Sequence, residues 1–371
     1  ARMLKLRDPD SVRFVMVSYL PTPSSIGEMK TKPTQHSVRT LNASGIQPDI
    51  IIARSKEPID EKRKEKISFF CNVPIEQVIS APDVKSIYDI PLNFEKEGIV
   101  KTLSKLLHLK ISNKVSDSSK AWKKMTSISH NAKDEVHIAL VGKYFDTGAF
   151  TLTDSYISVI EAIKYSCYAQ NKKPVIEWVN ALEFEKSPAS VKKLSGYDGV
   201  LVPGGFGARG IEGKILAIKY AREHKIPYLG LCYGMQLAVI EYARHVAGIK
   251  GATSRELEPK SSACVIDVMD SQKEKLKKEE YGGSMRLGSY ECFLKNGSIA
   301  KSLYKADKIL ERHRHRYEVN PLFIECLEAQ GLIFSGVSPD GTLMEITEIS
   351  PKEHPFFVGC QFHPEFQARP L

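Results

Sequence analysis

The chain has 371 residues, 42% hydrophobic and 26% charged, a globular balance with length for two domains. Its net charge of +9 is uneven: residues 1–134 hold 23 Lys and Arg against 15 Asp and Glu, and the remainder 30 against 29, which points the first part toward anionic ligands such as nucleotide phosphates or nucleic acid. Disordered, collagen-like and coiled-coil classes are excluded by composition, and no apolar run reaches the ~18–20 residues of a membrane helix. Seven cysteines without a CxxC pair argue against a disulfide framework or a structural zinc site and for a reducing, cytoplasmic setting. The opening residues ARMLKLRD have no apolar signal core and no initiator Met, and they read as the end of a helix, so further sequence is expected upstream.

In chain order, Ser11 to Ser18 alternates as a strand and leads into the loop YLPTPSSIGEMKTKPTQ. A helix is predicted from about Thr34 to Ser44, a buried strand at Asp49–Ala53, a helix at Lys62–Cys71 and a short strand at Val78–Ala81. Short apolar strands alternating with helices indicate a parallel α/β sheet. Ser112 to Asp134 is rich in Ser and Lys and reads as a solvated linker. A cleaner alternation starts at Val136, with strand VHIALVG, a helix from about Asp154 to Gln170, strands VIEWV and GVLV, helix IEGKILAIKYAREH, strand PYLGL and helix GMQLAVIEYARHV. Later strands are ACVIDVM, GLIFSGVS, LMEITEI and FFVGCQF, so this part reads as a complete doubly wound domain. The charged run QKEKLKKEE (272–280) reads as a solvated loop or short helix.

Three segments carry chemistry. In GLCYGMQ (230–236), Cys232 lies on a strand-to-helix turn, where the helix dipole favours a thiolate and flanking glycines permit a tight elbow. The alternative is an inert buried cysteine at a strand end. In QFHPE (361–365), His363 and Glu365 lie two apart, on one side of an extended backbone, so the carboxylate can orient the imidazole as general base and acid. The third is PGGFGARG (203–210), which fits the glycine spacing of a dinucleotide loop but lacks the acidic residue some 20 positions on. Its exposed backbone N–H groups suit a developing oxyanion instead. Lys30 and Lys32 lie in a Pro-terminated loop and can contact triphosphate oxygens, with Thr34 and Gln35 for a pyrimidine edge, or else form a solvated basic loop. The run RHRHRYE (312–318) could be a nucleic-acid patch, but it is one short segment in a nearly neutral domain.

The elbow cysteine, the Gly-Gly loop one strand earlier and the late His-x-Glu together resemble the class I, triad glutamine amidotransferases over about 135–371. That resemblance implies that Cys232 attacks the glutamine carboxamide, served by His363 and Glu365. Gly205 and the N–H of Tyr233 would hold the oxyanion, with Gln236, Glu256 and Arg316 in the glutamine pocket, Arg316 on the α-carboxylate and Glu256 on the ammonium. The segments GEMKTKPTQHSV, KRKEKISFFCNV, SAPDVKSIYDIP and RHRHRYEVN extend it: the whole chain is similar to the CTP synthase family. This implies ATP-dependent amination of UTP to CTP with ammonia from glutamine. Lys30, Thr31, Lys32, Pro33, Thr34, Gln35 and Lys66 would bind UTP or CTP, Asp83 and Val84 would bind ATP, and Phe206 and Arg209 would bind GTP as activator. It also implies Mg2+ with ATP, a homotetramer, and no nucleic-acid or membrane partner. No P-loop-like ATP site or set of acidic metal ligands is visible, so metal ligands are expected upstream and none in this chain. The expected organisation is therefore the later part of an amidoligase domain at 1–112, a linker at 113–134 and a complete class I glutaminase domain at 135–371. Two other functions stay open at this point, a nucleotide-binding assembly module and a glutaminase serving another acceptor such as a purine.

Overall fold

Runs of β-branched residues form the first sheet. Strands β1 (Val15–Leu20), β2 (Ile50–Ser55) and β3 (Val78–Pro82) lie parallel in that order. Behind a short helix α1 (Arg2–Arg7), helices α2 (Lys32–Ala43) and α3 (Glu61–Cys71) supply Val38 and Ile67 to a core with Leu20, Ile51, Ala53 and Val78. Helices α4 (Ile90–Lys96), α5 (Ile99–Leu106) and α6 (Asp117–Asn131) follow. The computed structural model describes residues 1–25, 27–110, 116–142, 156–268 and 285–370, and the chain divides into two units, 1–130 and 131–371. The charged run 272–280, residues 113–115 of the expected linker and residues 154–155 of the helix expected from Asp154 lie outside the described residues.

Two expectations for the first unit are corrected. KTKPTQ is not a loop: α2 begins at Lys32, with Thr31 as its N-cap residue. Pro33 occupies the first turn, where its missing N–H costs nothing because those N–H groups have no intrahelical partner. Residues 117–131 are helix rather than open linker. Trp122 Nε1 donates to the Tyr88 carbonyl at 2.9 Å, its ring meets that of Tyr88 edge-on at 6.2 Å, and Met125 and Thr126 are buried. A few anchoring residues fasten a helix whose remaining Ser and Lys residues face solvent, which is why composition alone reads as linker.

In the second unit, β4 (Glu135–Gly142), β5 (Lys173–Asn180), β6 (Gly199–Val202), β7 (Tyr228–Leu231) and β15 (Phe357–Cys360) form a parallel core in the order β15-β7-β6-β4-β5. Alternate residues of these strands serve opposite faces, as the pleat requires. Leu140, Leu201 and Leu231 meet Val159 of α7 (Ile157–Ala169). Ala139, Val141, Val200 and Val202 meet Ile215 of α9 (Ile211–Glu223) and Met235 of α10 (Tyr233–His245); a short α8 (Ala181–Lys186) precedes them. The sheet is mixed. Four strands, β10 (Arg286–Leu294), β11 (Lys308–His315), β13 (Leu332–Val337) and β14 (Met344–Ile349), extend it antiparallel in the order β11-β10-β13-β14 beyond β15. A small second sheet, β12-β9-β8, comprises β8 (Thr253–Ser254), β9 (Cys264–Val268) and β12 (Tyr317–Val319). The antiparallel β10–β11 pair has no counterpart in the sequence reading. In β11, Glu311, His313 and His315 point inward while Arg312 and Arg314 stay exposed, so the basic run is an amphipathic strand and not a continuous charged patch.

Candidate active site and nucleotide edge

Strand β7 ends at Leu231, and Cys232 follows as the N-cap residue of α10, with φ 50° and ψ −99°. A non-glycine residue held there stores strain on the order of 1–3 kcal/mol, which persists only where the surroundings enforce it. They do so here. A Cβ on Gly234 would stand 2.1 Å from the Val202 carbonyl oxygen, so α10 starts against the end of β6 only because residue 234 has no side chain. Cys232 is buried and its N–H donates to the Cys360 carbonyl at 2.6 Å, fastening the elbow to β15. The N–H of Tyr233, in the first turn, has no intrahelical acceptor and is available to an anion.

Strand β15 ends at Cys360, and the chain then runs through Gln361 and Phe362 to His363. Extended backbone was expected to join His363 to Glu365; instead a 3-10 turn (Pro364–Phe366) folds the carboxylate back, and His363 Nδ1 and Glu365 Oε1 lie 2.7 Å apart. The imidazole also stacks on Phe366, ring centroids 4.7 Å apart. Burial opposes charge on His363, but hydrogen bonds and attraction to Cys232 and Glu365 outweigh it and lift the ring to about 10. A Cβ on Gly204 would lie 2.8 Å from His363 Cε1 and 3.7 Å from Cys232 Cβ, so the first glycine of the loop opens the space where the two side chains meet.

Two residues of this site escaped the sequence reading. One is Gly204, beside the expected Gly205. The other is Gln361, whose Nε2 donates to Cys232 Sγ at 3.6 Å and whose Oε1 accepts from Gln236 Nε2 at 3.1 Å. The available signal for Gln361 was its place two residues before His363. Gln236 also donates to the Tyr317 carbonyl at 3.0 Å. Glu256 Oε1 accepts the Gly207 N–H at 2.9 Å, and Tyr233 Oη donates to the Gly207 carbonyl at 3.1 Å, so both hold the glycine loop. Arg316 lies where the chain leaves β11 for β12. Phe206 and Arg209 are exposed on the loop between β6 and α9.

In the first unit, the expected nucleotide residues gather at the carboxyl ends of three parallel strands, the edge where open α/β sheets bind ligands. Thr31, Thr34 and Gln35 are buried: Thr34 Oγ1 and Ser18 Oγ lie 2.8 Å apart, and Gln35 Nε2 donates to Thr31 Oγ1 at 3.2 Å. Lys32 and Pro33 are exposed at the helix start. Lys30 Nζ lies 2.7 Å from Glu28, whose carboxyl is held low by the Lys30 hydrogen bond and further by Arg63 and Lys66. Lys30 and Lys66 therefore share one acidic neighbour with Arg63, a residue the sequence reading missed. Beyond β3, Asp83 Oδ1 accepts from Arg54 at 3.2 Å, and Val84 follows, half-buried.

The family described as glutamine amidotransferase class-I matches residues 151–371, and the one described as CTP synthase N-terminus matches residues 1–109. A CTP synthase of Thermococcus gammatolerans is 48% identical over 373 residues, covering 100% of this chain and 67% of its own length. The chain belongs to the CTP synthase family. A CTP synthase of Bacillus subtilis is 45% identical over 361 residues, 97% of this chain and 65% of that relative. The chain thus spans about two thirds of the length of these relatives. Among solved structures, the glutaminase domain of Trypanosoma brucei CTPS with bound acivicin is 37% identical, with a TM-score of 0.58 over 63% of this chain and 88% of that one. CTP synthases are glutamine-hydrolysing ligases of pyrimidine biosynthesis. No helix among the described residues is long and apolar enough to cross a membrane.

The raised His363 has a consequence for stability. The folded ring keeps its proton to about 10, against 6.5 for the free side chain, so its contribution is complete below about pH 6.5 and is lost as pH rises toward 10. Thermal unfolding followed between those values should fall more steeply for the wild type than for His363→Gln. Parallel curves for the two proteins would show that His363 is not held charged.

Proposed function

We propose that the second unit hydrolyses glutamine through Cys232, His363 and Glu365, and that the ammonia aminates UTP to CTP with ATP. The meeting of Cys232, His363 and Glu365 beside Gly204, at the start of α10, carries this reading. With the proton held on His363, the Cys232 sulfur attacks the glutamine carboxamide carbon. The oxyanion receives the N–H of Tyr233 and the Gly205 segment. His363 then returns its proton to the departing ammonia, and water releases glutamate from the thioester. Glu365 fixes the ring's tautomer and orientation. Arg316 serves the α-carboxylate of glutamine, Glu256 its ammonium, and Gln236 the wall between them.

The organisation we propose is an amidoligase part at 1–112 and a glutaminase domain at 135–371. Lys30, Thr31, Lys32, Pro33, Thr34, Gln35 and Lys66 serve UTP or CTP, and Asp83 and Val84 serve ATP. Support comes from their position at the carboxyl edge of the sheet, with the exposed start of α2 offering its N–H groups to phosphate. ATP phosphorylates the uracil 4-oxygen and ammonia displaces the phosphate. Magnesium accompanies ATP; among the described residues no group of three or more His, Cys, Asp or Glu gathers to hold a metal ion, and no ligand is assigned. GTP as activator at Phe206 and Arg209, a homotetramer and a cytoplasmic setting belong to the same proposal.

Cys232→Ala should lower glutamate release by roughly a thousandfold or more while leaving UTP binding intact, because no second nucleophile occupies the elbow. Normal release from this variant would end the triad reading. Lys32→Ala should weaken UTP binding, measured by calorimetry, roughly tenfold, the effect of losing one charge-assisted phosphate contact, with glutamine hydrolysis untouched. Unchanged binding would return the segment to a solvated helix start. Arg209→Ala should keep basal glutamine hydrolysis and lose several-fold of its stimulation by GTP, the size of a typical coupling energy of ~1–3 kcal/mol. Full stimulation would move the effector elsewhere.

A further inference from the structure

Beneath β11 lies a group of buried ionisable side chains that the proposed chemistry does not use. Arg286 Nη1 of β10 reaches Glu345 Oε1 of β14 at 2.5 Å and Glu318 Oε1 of β12 at 3.3 Å. His313 Nδ1 and His315 Nε2 lie 2.9 Å apart, and His315 Nδ1 lies 3.2 Å from the Tyr317 carbonyl. All five side chains are buried. The hydrogen bonds assign the protons: His315 donates from Nδ1 to Tyr317 and accepts at Nε2 from His313 Nδ1. Both rings are then neutral, as burial and the nearby Arg286 charge require of them. One guanidinium faces two carboxylates. Burial raises both carboxyls, Glu345 to about 7, and the Glu345 charge raises Glu318 further, while the Arg286 guanidinium opposes the rise on each.

What this group supports is the 312–317 segment, which touches His363, Cys232 and Gln236. The Arg312 carbonyl accepts the His363 N–H at 2.8 Å, the Arg314 carbonyl faces Cys232 Sγ at 3.9 Å, and the Tyr317 carbonyl accepts from Gln236 at 3.0 Å. Glu345 also holds the far side of the site, since its carbonyl accepts the Gln361 N–H at 2.8 Å. A buried ion pair rarely adds net stability over an apolar replacement, and its attested use is to enforce one arrangement among several.

We infer that Arg286, Glu345 and Glu318, with the His313–His315 pair, are positioning residues for glutamine hydrolysis, which set the depth of the 312–317 segment against Cys232 and carry Arg316 to the substrate. The inference rests on the glutaminase reading above. None of these side chains touches substrate; they act through the backbone carbonyls of β11 and through the corner at Arg316. The corner bears mainly on substrate binding, because the His363–Glu365 contact belongs to the separate turn at 364–366.

The test is glutamate release by the whole chain carrying Glu345→Gln, which keeps the shape and replaces the carboxyl opposite Arg286 with an amide. The expected result is a rise in glutamine KM of about tenfold, exceeding any loss in kcat, with iodoacetamide alkylating Cys232 at the wild-type rate. A wild-type KM, whatever the melting temperature, overturns the inference, and so does a loss confined to kcat or slowed alkylation. If Glu345→Gln does not fold, Arg286→Lys is read by the same criteria, since a single ammonium keeps the charge but not the guanidinium bridge. Absence of glutamate release from the wild-type chain would be failure of the glutaminase reading itself, and is distinguished from failure of the positioning role by that one control.

Discussion

The backbone at Cys232 constrains everything around the site. A thiol displayed above the edge of a sheet needs a strand that stops and a helix that starts within one residue, and at φ 50° that turn survives only under enforcement. The strand order β15-β7-β6 meets the demand by flanking the elbow strand with two parallel neighbours. The glycine loop leaves the carboxyl end of β6, the His363 segment leaves that of β15, and both arrive at the same edge as Cys232. Gly234 closes the arrangement from behind, since any side chain there would push α10 off the end of β6. Cys232, His363 and the loop beside them thus come together through one piece of topology.

Much of this was legible in the sequence, for a reason visible in particular residues. Strands buried on both faces by helices read as continuous apolar runs, and GVLV and PYLGL are such runs. The elbow cysteine, the glycine loop and the His-x-Glu each stand next to one of them. The antiparallel half was harder. In β11 the inward residues are histidines and a glutamate, so the period of two that marks a half-buried strand is written in polar letters and passes for a charged run. The helix 117–131 hid for the converse reason, since Trp122 and Met125 are its main apolar anchors.

Polar side chains turned inward also order the site. Gln361 and Gln236 hydrogen-bond to one another and to the sulfur and carbonyls around them, and the Arg286 group sits below. A buried polar atom must find a partner, so each of these residues fixes a neighbour's position as strictly as an apolar side chain fills a volume. Sequence patterns built on hydrophobicity do not register that kind of order. It becomes readable only once the chain crossings bring residues far apart in sequence into hydrogen-bond range.

The contact between Glu256 and Gly207 ties the proposed glutamine pocket to the glycine loop. Among the described contacts, the carboxylate proposed to meet the substrate ammonium already accepts an N–H from the loop that carries Phe206 and Arg209. An arriving ammonium draws on the same anionic charge, so occupation of the pocket shifts how firmly the loop is held. On the proposed reading, a ligand on the exposed side of the loop would change how freely Glu256 can turn to the substrate. The exchange is symmetrical by thermodynamic necessity: a ligand that improves glutamine binding through this carboxylate is itself held more tightly, by the same factor, once glutamine is in place.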